Sequence, residues 1–249
     1  GSIKDKTSLL KSHIEMKVNP TQKEISFLIE EKKKEIAKEP ANIPLKYDLL
    51  NYYKENNDKK SALSVLEDIS VFAMGDINLQ LEKMELQENI FEEESLKNAE
   101  RYRDEEHRKK EIYEYQKSLY MAFLQAFPTS TEIKFKLAKI YFLLNENDEA
   151  LKLYQVCSKV QDLAVESMNK MGLIFVRKEM YDMAIMQFKN AAGFLKHMDD
   201  QKKDVLYNLA CAFESNEQME EALLHFKSIY QEDVSYRDIA EKIEKAYKR

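Results

Sequence analysis

Glycine and proline are scarce in this sequence, with only four of each among 249 residues. Proteins rich in β-strands use both residues in the many tight turns that join their strands. Leu, Glu, Lys and Ala are abundant instead, and 34% of the residues are charged, a composition typical of helices with one solvated face. The sequence therefore predicts an all-α protein.

Cysteine and long apolar runs are also rare. The two cysteines, Cys157 and Cys211, do not make a disulfide framework, and both lie in apolar helical runs where we expect them to be buried. No apolar run approaches the ~20 residues of a membrane span. Gly1-Ser2 is typical of the scar that tag cleavage leaves, so the compartment stays open: periplasm or envelope if a signal or anchor was removed upstream, and cytoplasm otherwise.

Residues that carry chemistry are few and scattered. The four histidines (His13, His107, His197 and His225) share no metal-ligand spacing, and the sequence contains neither H-E-x-x-H nor C-x-x-C. Four isolated glycines cannot form a phosphate-binding loop. We therefore predict no catalytic residue, no metal site and no cofactor, which indicates a protein that is not an enzyme.

One short phrase recurs along the chain. "DEALKLYQ", "DMAIMQFK", "EEALLHFK" and a looser "KSALSVLE" align on Ala150, Ala184, Ala222 and Ala62, and the first three alanines are 34 and 38 residues apart. Upstream of each alanine a partner helix carries Leu or Met, then a small or aliphatic residue, then an aromatic residue. These triplets are Leu137, Ala138 and Tyr141; Met171, Gly172 and Phe175; Leu209, Ala210 and Phe213; and Leu49, Leu50 and Tyr53.

This order and period resemble the tetratricopeptide (TPR) repeat. Three units between about residues 131 and 235 match well, and a unit over residues 43–76 matches moderately, although the family's early Trp is absent. The resemblance implies an all-α, right-handed superhelical solenoid of antiparallel helix hairpins. To this the sequence adds a long, non-canonical helical hairpin in the middle and a C-terminal capping helix.

The pattern also predicts how the chain is divided. Between Asp76 and Phe127 there is neither Gly nor Pro, so one helix of ~75 Å is possible. The alternative is two antiparallel helices that meet near Asp104–Arg108, because this pairing would bury the apolar stripe that each half of the segment carries. A coiled-coil arm that grips a partner is a further alternative. The predicted domains are a flexible or tag-derived segment 1–18, an N-terminal helix with one degenerate hairpin 19–76, a long charged helical hairpin 77–128, three TPR-like repeats 129–235 and a capping helix 236–249.

The resemblance also implies a binding surface, because the first helices of TPR hairpins line a concave groove that holds a partner peptide or helix. The array with which some TPR proteins hold the acidic C-terminus of a chaperone is incomplete here. The groove candidates implied by the resemblance are Phe135, Lys139, Phe142, Leu143, Asn169, Leu173, Val176, Arg177, Tyr207, Cys211 and Glu214.

The predicted function is a non-catalytic scaffold that binds another protein within a larger assembly, by analogy an envelope, secretion or motility assembly. A chaperone or assembly factor that holds its substrate transiently in the same groove is the alternative. The net charge of −6 argues against a third class, an RNA-binding solenoid, and against nucleic-acid partners in general. Neither the partner nor the oligomeric state follows from the sequence.

Overall fold

The computed structural model describes residues 3–15 and 20–247, and within them all regular structure is helical. The chain divides after Arg108 into two compact units. The helices are α1 (Ile3–Glu15), α2 (Gln22–Lys38), α3 (Ile43–Glu55), α4 (Lys59–Ser70), α5 (Ile77–Lys97), α6 (Glu105–Ala126), α7 (Thr131–Leu143), α8 (Asn147–Cys157), α9 (Gln161–Arg177), α10 (Tyr181–Phe194), α11 (Asp200–Ser215), α12 (Met219–Glu232) and α13 (Ile239–Tyr247).

The first unit begins with α1, which lies in the segment predicted to be flexible or derived from a tag. Ile14 of α1 is only 2% exposed, and Lys11 forms an ion pair with Glu35 of α2. The proposed scar at Gly1-Ser2 lies outside the described residues. Helix α2 starts at a capping box, in which Thr21 and Glu24 each accept a hydrogen bond from the other's backbone N–H.

The hairpin α3/α4 forms the core of the first unit. The side chains of Leu50, Ala62 and Leu66 are almost completely buried, and α2 and α5 pack on either side of the hairpin. This arrangement buries the apolar stripes that the sequence pattern placed on α3 and α4, because neither helix could bury its stripe alone.

The chain between residues 77 and 126 forms two helices instead of one long one. Helix α5 ends at Asn98, whose side-chain amide donates to the carbonyl oxygen of Glu94 at 2.8 Å. A short 3₁₀ turn follows, and the Asp104 carboxylate accepts from the backbone N–H of His107 at 2.8 Å at the start of α6. These side-chain bonds to the backbone satisfy groups that a helix end leaves free, so they stabilise the interruption. The antiparallel pairing of α5 and α6, and the predicted domain boundaries, stay predictions.

In the second unit three hairpins follow one another, α7/α8, α9/α10 and α11/α12. The aligned residues Ala150, Ala184 and Ala222 are completely buried, and so are the aromatic rings that follow them by four residues at Tyr154 and Phe188. Each hairpin packs on the next through its second helix. The recurring phrase therefore supplies the buried contact surface between the helices of each hairpin, which we call the seam.

The turn inside each hairpin has one residue in the left-handed backbone region. Asn57, Asn145, Glu179 and Glu217 have φ between 56° and 61°. In each case the next residue's N–H donates to the carbonyl of the aromatic residue that lies five positions before it, at 2.8–2.9 Å. This is the Schellman arrangement that ends many helices, and it most often uses Gly because a Cβ disfavours positive φ.

Helix α13 closes the second unit. Ile239 is completely buried and Ile243 packs partly on the same core, but Tyr247 is 67% exposed, so the side of α13 that carries these three residues is only partly covered. Helix α13 lies against α12, where a further hairpin would otherwise be expected to stack.

Candidate functional site

The predicted groove residues lie on α7, α9 and α11, the first helices of the three hairpins. Helix α7 contacts α9 and α9 contacts α11, so the three helices lie side by side within the second unit. We call the surface of these helices that carries the predicted groove residues the inner face.

Phe135 and Lys139 lie at the α7 edge of the inner face. Phe135 is only 7% exposed and packs edge-on against the ring of Tyr154, with centroids 5.9 Å apart. The Lys139 ammonium lies 4.6 Å from the centroid of the Phe135 ring and forms an ion pair with Glu166 of α9 at 2.8 Å. Phe135 therefore belongs to the core, whereas Lys139 joins two neighbouring helices at the surface.

Phe142 is half-buried beneath two cations of α9. The Arg177 guanidinium carbon lies 3.8 Å from the Phe142 ring centroid and the Lys170 Nζ lies 5.0 Å from it. Arg177 Nη1 also donates to the Phe142 carbonyl oxygen at 3.0 Å and to Asn147 Oδ1 at 3.3 Å. Burial lowers the pKa of Arg177, but an arginine pKa lies so far above neutrality that the side chain stays charged.

Asn169 is 8% exposed and its amide is fully engaged with α11. Its Nδ2 donates to Asp204 Oδ2 at 2.9 Å, and its Oδ1 accepts from Asn208 Nδ2 at 3.0 Å. Asp204 in turn pairs with Arg237, which lies just before α13. These contacts connect α9, α11 and the chain before α13, so Asn169 acts as a structural link.

The α11 end of the inner face carries Tyr207, Cys211 and Glu214. The Tyr207 hydroxyl donates to Asp238 Oδ1 at 2.5 Å, and burial together with this carboxylate raises the pKa of Tyr207. Cys211 is half-buried, and desolvation raises the pKa of its thiol. Glu214 pairs with Lys242 of α13 at 2.5 Å. All three side chains therefore contact neighbouring parts of the same unit.

Three predicted residues remain, and they differ in exposure. Leu143 is 48% exposed at the end of α7. Leu173 and Val176 of α9 are half-buried and pack against the core that α10, α11, α12 and Ile239 form. The inner face is thus held by contacts between neighbouring first helices, and Leu143 is its exposed apolar side chain among the predicted residues.

Comparison with known proteins identifies the type of repeat. Residues 132–160, which form the hairpin α7/α8, match the family described as tetratricopeptide repeat. This hairpin is therefore a tetratricopeptide repeat. The match bears out the family that the sequence pattern indicated.

Solved structures of TPR proteins share the fold. YrrB, described as "a TPR protein with an unusual peptide-binding site", superposes with a TM-score of 0.57 at 16% identity over 88% of this chain and 98% of its own. MamA superposes with a TM-score of 0.54 at 14% identity over 76% of this chain and 90% of its own. MamA from Desulfovibrio magneticus RS-1, residues 41 to the end, gives 0.54 at 11% identity over 77% and 94%. No curated protein matches the sequence. At these identities the similarity shows the fold alone.

Sequence reasoning about the TPR pattern missed several residues of this surface, among them Glu166, Lys170, Asp204, Asn208 and Arg237. All but Arg237 lie close in sequence to the predicted candidates, but only the packed helices show which side chains bond to a neighbouring helix. The spacing of about one repeat between bonded partners, such as Asn169 and Asp204, was the signal that could have indicated these contacts.

Other kinds of site find no support in the TPR array. Among residues 3–15 and 20–247 no group of His, Cys, Asp or Glu side chains could hold a metal ion. Within the same residues, no helix combines the length and the apolar character that crossing a bilayer requires.

Proposed function

We propose that this protein is a non-catalytic scaffold that binds a segment of another protein on the inner face of its tetratricopeptide repeats, as one component of a multiprotein assembly. The observation that carries the proposal is the way in which α7, α9 and α11 are joined. Lys139–Glu166, Asn169–Asp204 and Glu214–Lys242 fix each first helix to the next element. A surface that is already ordered loses little conformational entropy when a partner binds.

The same observation favours a stable partner over a transient one. A holding chaperone that accepts many substrates benefits from a surface that can repack, as flexible Met-rich surfaces do. The inner face is instead held by ion pairs and by the hydrogen bonds of a buried side-chain amide, that of Asn169. We therefore prefer the scaffold to the chaperone or assembly-factor alternative. The envelope, secretion or motility setting is carried over from the sequence analogy without further support.

The proposal is tested with two matched leucine variants. Leu143→Glu places a carboxylate on the inner face at a side chain that is 48% exposed, whereas Leu224→Glu makes the same change on the second helix α12 at a side chain that is 67% exposed. Both variants and the wild type are used as bait in native cell extract, and the proteins recovered with each are quantified by mass spectrometry.

We expect Leu143→Glu to lose a partner that the wild type and Leu224→Glu retain. Truncating or charging an apolar anchor costs about 2 kcal/mol or more in binding, or about thirtyfold in affinity. Recovery of every partner in equal amount by all three baits contradicts the proposal. The lifetime of the recovered complex then separates the two classes, because a scaffold complex survives gel filtration and a chaperone complex dissociates.

A further inference from the structure

Lys170 and Arg177 bring two positive charges together on the inner face. They are seven residues apart on α9 and so lie on the same side of that helix. Both lie over the ring of Phe142, at 5.0 and 3.8 Å from its centroid, so the two charges are within about 9 Å of each other. We call Lys139, Lys170 and Arg177, around Phe142, the basic patch.

Two cations of the basic patch have no carboxylate partner in the described part of the chain. Neighbouring cations do: Lys139 pairs with Glu166 at 2.8 Å and Lys178 pairs with Asp148 at 2.6 Å. The hydrogen bonds of Arg177 go to neutral oxygens, and the recorded contact of Lys170 is the Phe142 ring. With Lys139 and Glu166 included, the patch has three positive charges against one negative charge.

We propose that the basic patch binds glutamate or aspartate side chains of an acidic segment in the partner protein. The inference rests on the proposed function and adds the charge of the segment that is bound. Arg177 uses one guanidinium nitrogen for its contacts within the chain, and guanidinium is the group best suited to hold a carboxylate through further N–H donors. The Phe142 ring keeps both cations in place before the partner arrives.

An exposed apolar side chain beside the basic patch adds a second requirement to the sequence of the bound segment. Leu143 follows Phe142 directly and is 48% exposed. A segment that places an apolar side chain near Leu143 and a carboxylate near Lys170 would contact both features. The protein as a whole has a net charge of −6, so attraction to an acidic partner must come from this local patch and not from the overall charge.

The test uses three fluorescein-labelled peptides of about twelve residues that share one leucine and serine framework. Their variable positions are all Glu, all Gln or all Lys, and the Glu peptide is made with both a free and an amidated C-terminus. Binding to the full chain is measured by fluorescence anisotropy. A labelled single-stranded oligonucleotide of similar length serves as a phosphate probe.

The protein variants are Lys170→Glu and, as the matched control, Lys152→Glu. Lys152 is an exposed lysine on the second helix α8, paired with Glu149, so both variants change the net charge equally. We expect the wild type to bind the Glu peptide at least tenfold more tightly than the Gln peptide, and the Lys peptide more weakly still. Lys170→Glu should lower the affinity for the Glu peptide about tenfold, whereas Lys152→Glu should leave this affinity unchanged.

Each outcome decides the inference. Equal affinity for the three peptides overturns the acidic preference but leaves the proposed scaffold intact, and failure to bind any peptide overturns the preference too. If the amidated Glu peptide loses the affinity that the free Glu peptide has, the site binds a C-terminal carboxylate, and the choice of side-chain carboxylates is overturned. Tighter binding of the oligonucleotide than of the Glu peptide overturns it in favour of phosphate. The scaffold proposal is tested separately by the Leu143→Glu experiment. Thermal unfolding followed by circular dichroism checks that each variant is folded.

Discussion

In the hairpin α9/α10 of the second unit, Gly172 lies against the ring of Phe188, whereas the hairpin α3/α4 of the first unit has Leu50 and Leu66 at the two equivalent positions. The other two hairpins of the second unit carry Ala138 with Tyr154 and Ala210 with Phe226 at the same aligned positions. In the second unit each pair combines a small residue with a large aromatic one. In the first unit both positions are occupied by leucine, a residue of intermediate size.

This comparison indicates that the seam can be filled by different combinations of side-chain size, a ring against a small residue or two residues of middle size. Leu50 and Leu66 are 1% and 0% exposed, and Phe188 is 0% exposed, so both seams are completely buried despite their different residues. A buried interface of close-packed side chains can reach the same density with a glycine and a phenylalanine or with two leucines.

The largest effect is expected when the ring is removed from the seam of the second unit. Phe188→Ala should lower the free energy of unfolding by about 3–5 kcal/mol, because Gly172 opposite has no side chain that can fill the cavity. Leu66→Ala should cost less, about 2–3 kcal/mol, since Leu50 can move into part of the space. Urea unfolding followed by circular dichroism measures both. An equal or larger loss for Leu66→Ala would contradict the volume comparison.

A smaller effect is expected from adding one methyl group at Gly172. A Cβ at this position would lie 2.4 Å from Phe188 Cε1, so Gly172→Ala should cost about 1–3 kcal/mol in spite of the better helix propensity of alanine. Gly193→Ala is the matched control, because nothing lies within 4 Å of its Cβ position on α10. We expect the control to be neutral or to stabilise by up to about 1 kcal/mol. Thermal unfolding of both variants provides the measurement.

The double variant Gly172→Ala/Phe188→Leu tests this result further, since it makes the two residues of this seam more alike in size, as Leu50 and Leu66 are in the first unit. If the two positions share one volume, the double variant should be more stable than the sum of the single effects by about 1 kcal/mol. Strict additivity would show that Phe188 is not the group that the added methyl displaces.

The smallest effect concerns the turns. Glu179 has φ of 57° and Asn57 of the first unit has φ of 56°, a backbone region that disfavours most side chains but is tolerated by Asn. Glu179→Gly should therefore stabilise the protein by about 0.5–1 kcal/mol, whereas Asn57→Gly should change the stability by only a few tenths. Urea unfolding midpoints measure the difference. A loss of stability in Glu179→Gly would show that the Glu179 side chain makes a contribution greater than the backbone strain.

Much of the repeat region could be predicted because its signals are local. Leu137, Ala138 and Tyr141 recur at helical spacing, and Ala150 and Tyr154 mark the seam, so the pattern alone indicated hairpins. Cys157 is buried as expected, but Cys211, on the inner face, is only half-buried. The interruption between α5 and α6 was placed only approximately, since polar residues without Gly or Pro give a weak boundary signal.

The candidate site was harder to predict than the fold. Phe135 and Asn169 have the spacing expected of groove residues, yet the first packs in the core and the second bonds to Asp204 and Asn208 of the next first helix. Spacing shows which side of a helix a residue occupies. It does not show whether a neighbouring helix already uses that side chain, because the partners lie 35 and 39 residues away along the chain.

The sequence by itself determined the helices, the hairpins and their buried seams, because helix propensity, period-3.6 apolar spacing and capping act over a few residues. Only the tertiary structure decided which inner-face groups are consumed by contacts between α7, α9 and α11 and which remain available. That outcome depends on how closely separate helices approach, and so on the side chains at their shared seams, as the contact of Gly172 with Phe188 illustrates. Lys170 and Arg177 have no carboxylate partner among the described residues, whereas Glu166 of their own helix pairs with Lys139 and Asp204 of α11 pairs with Arg237.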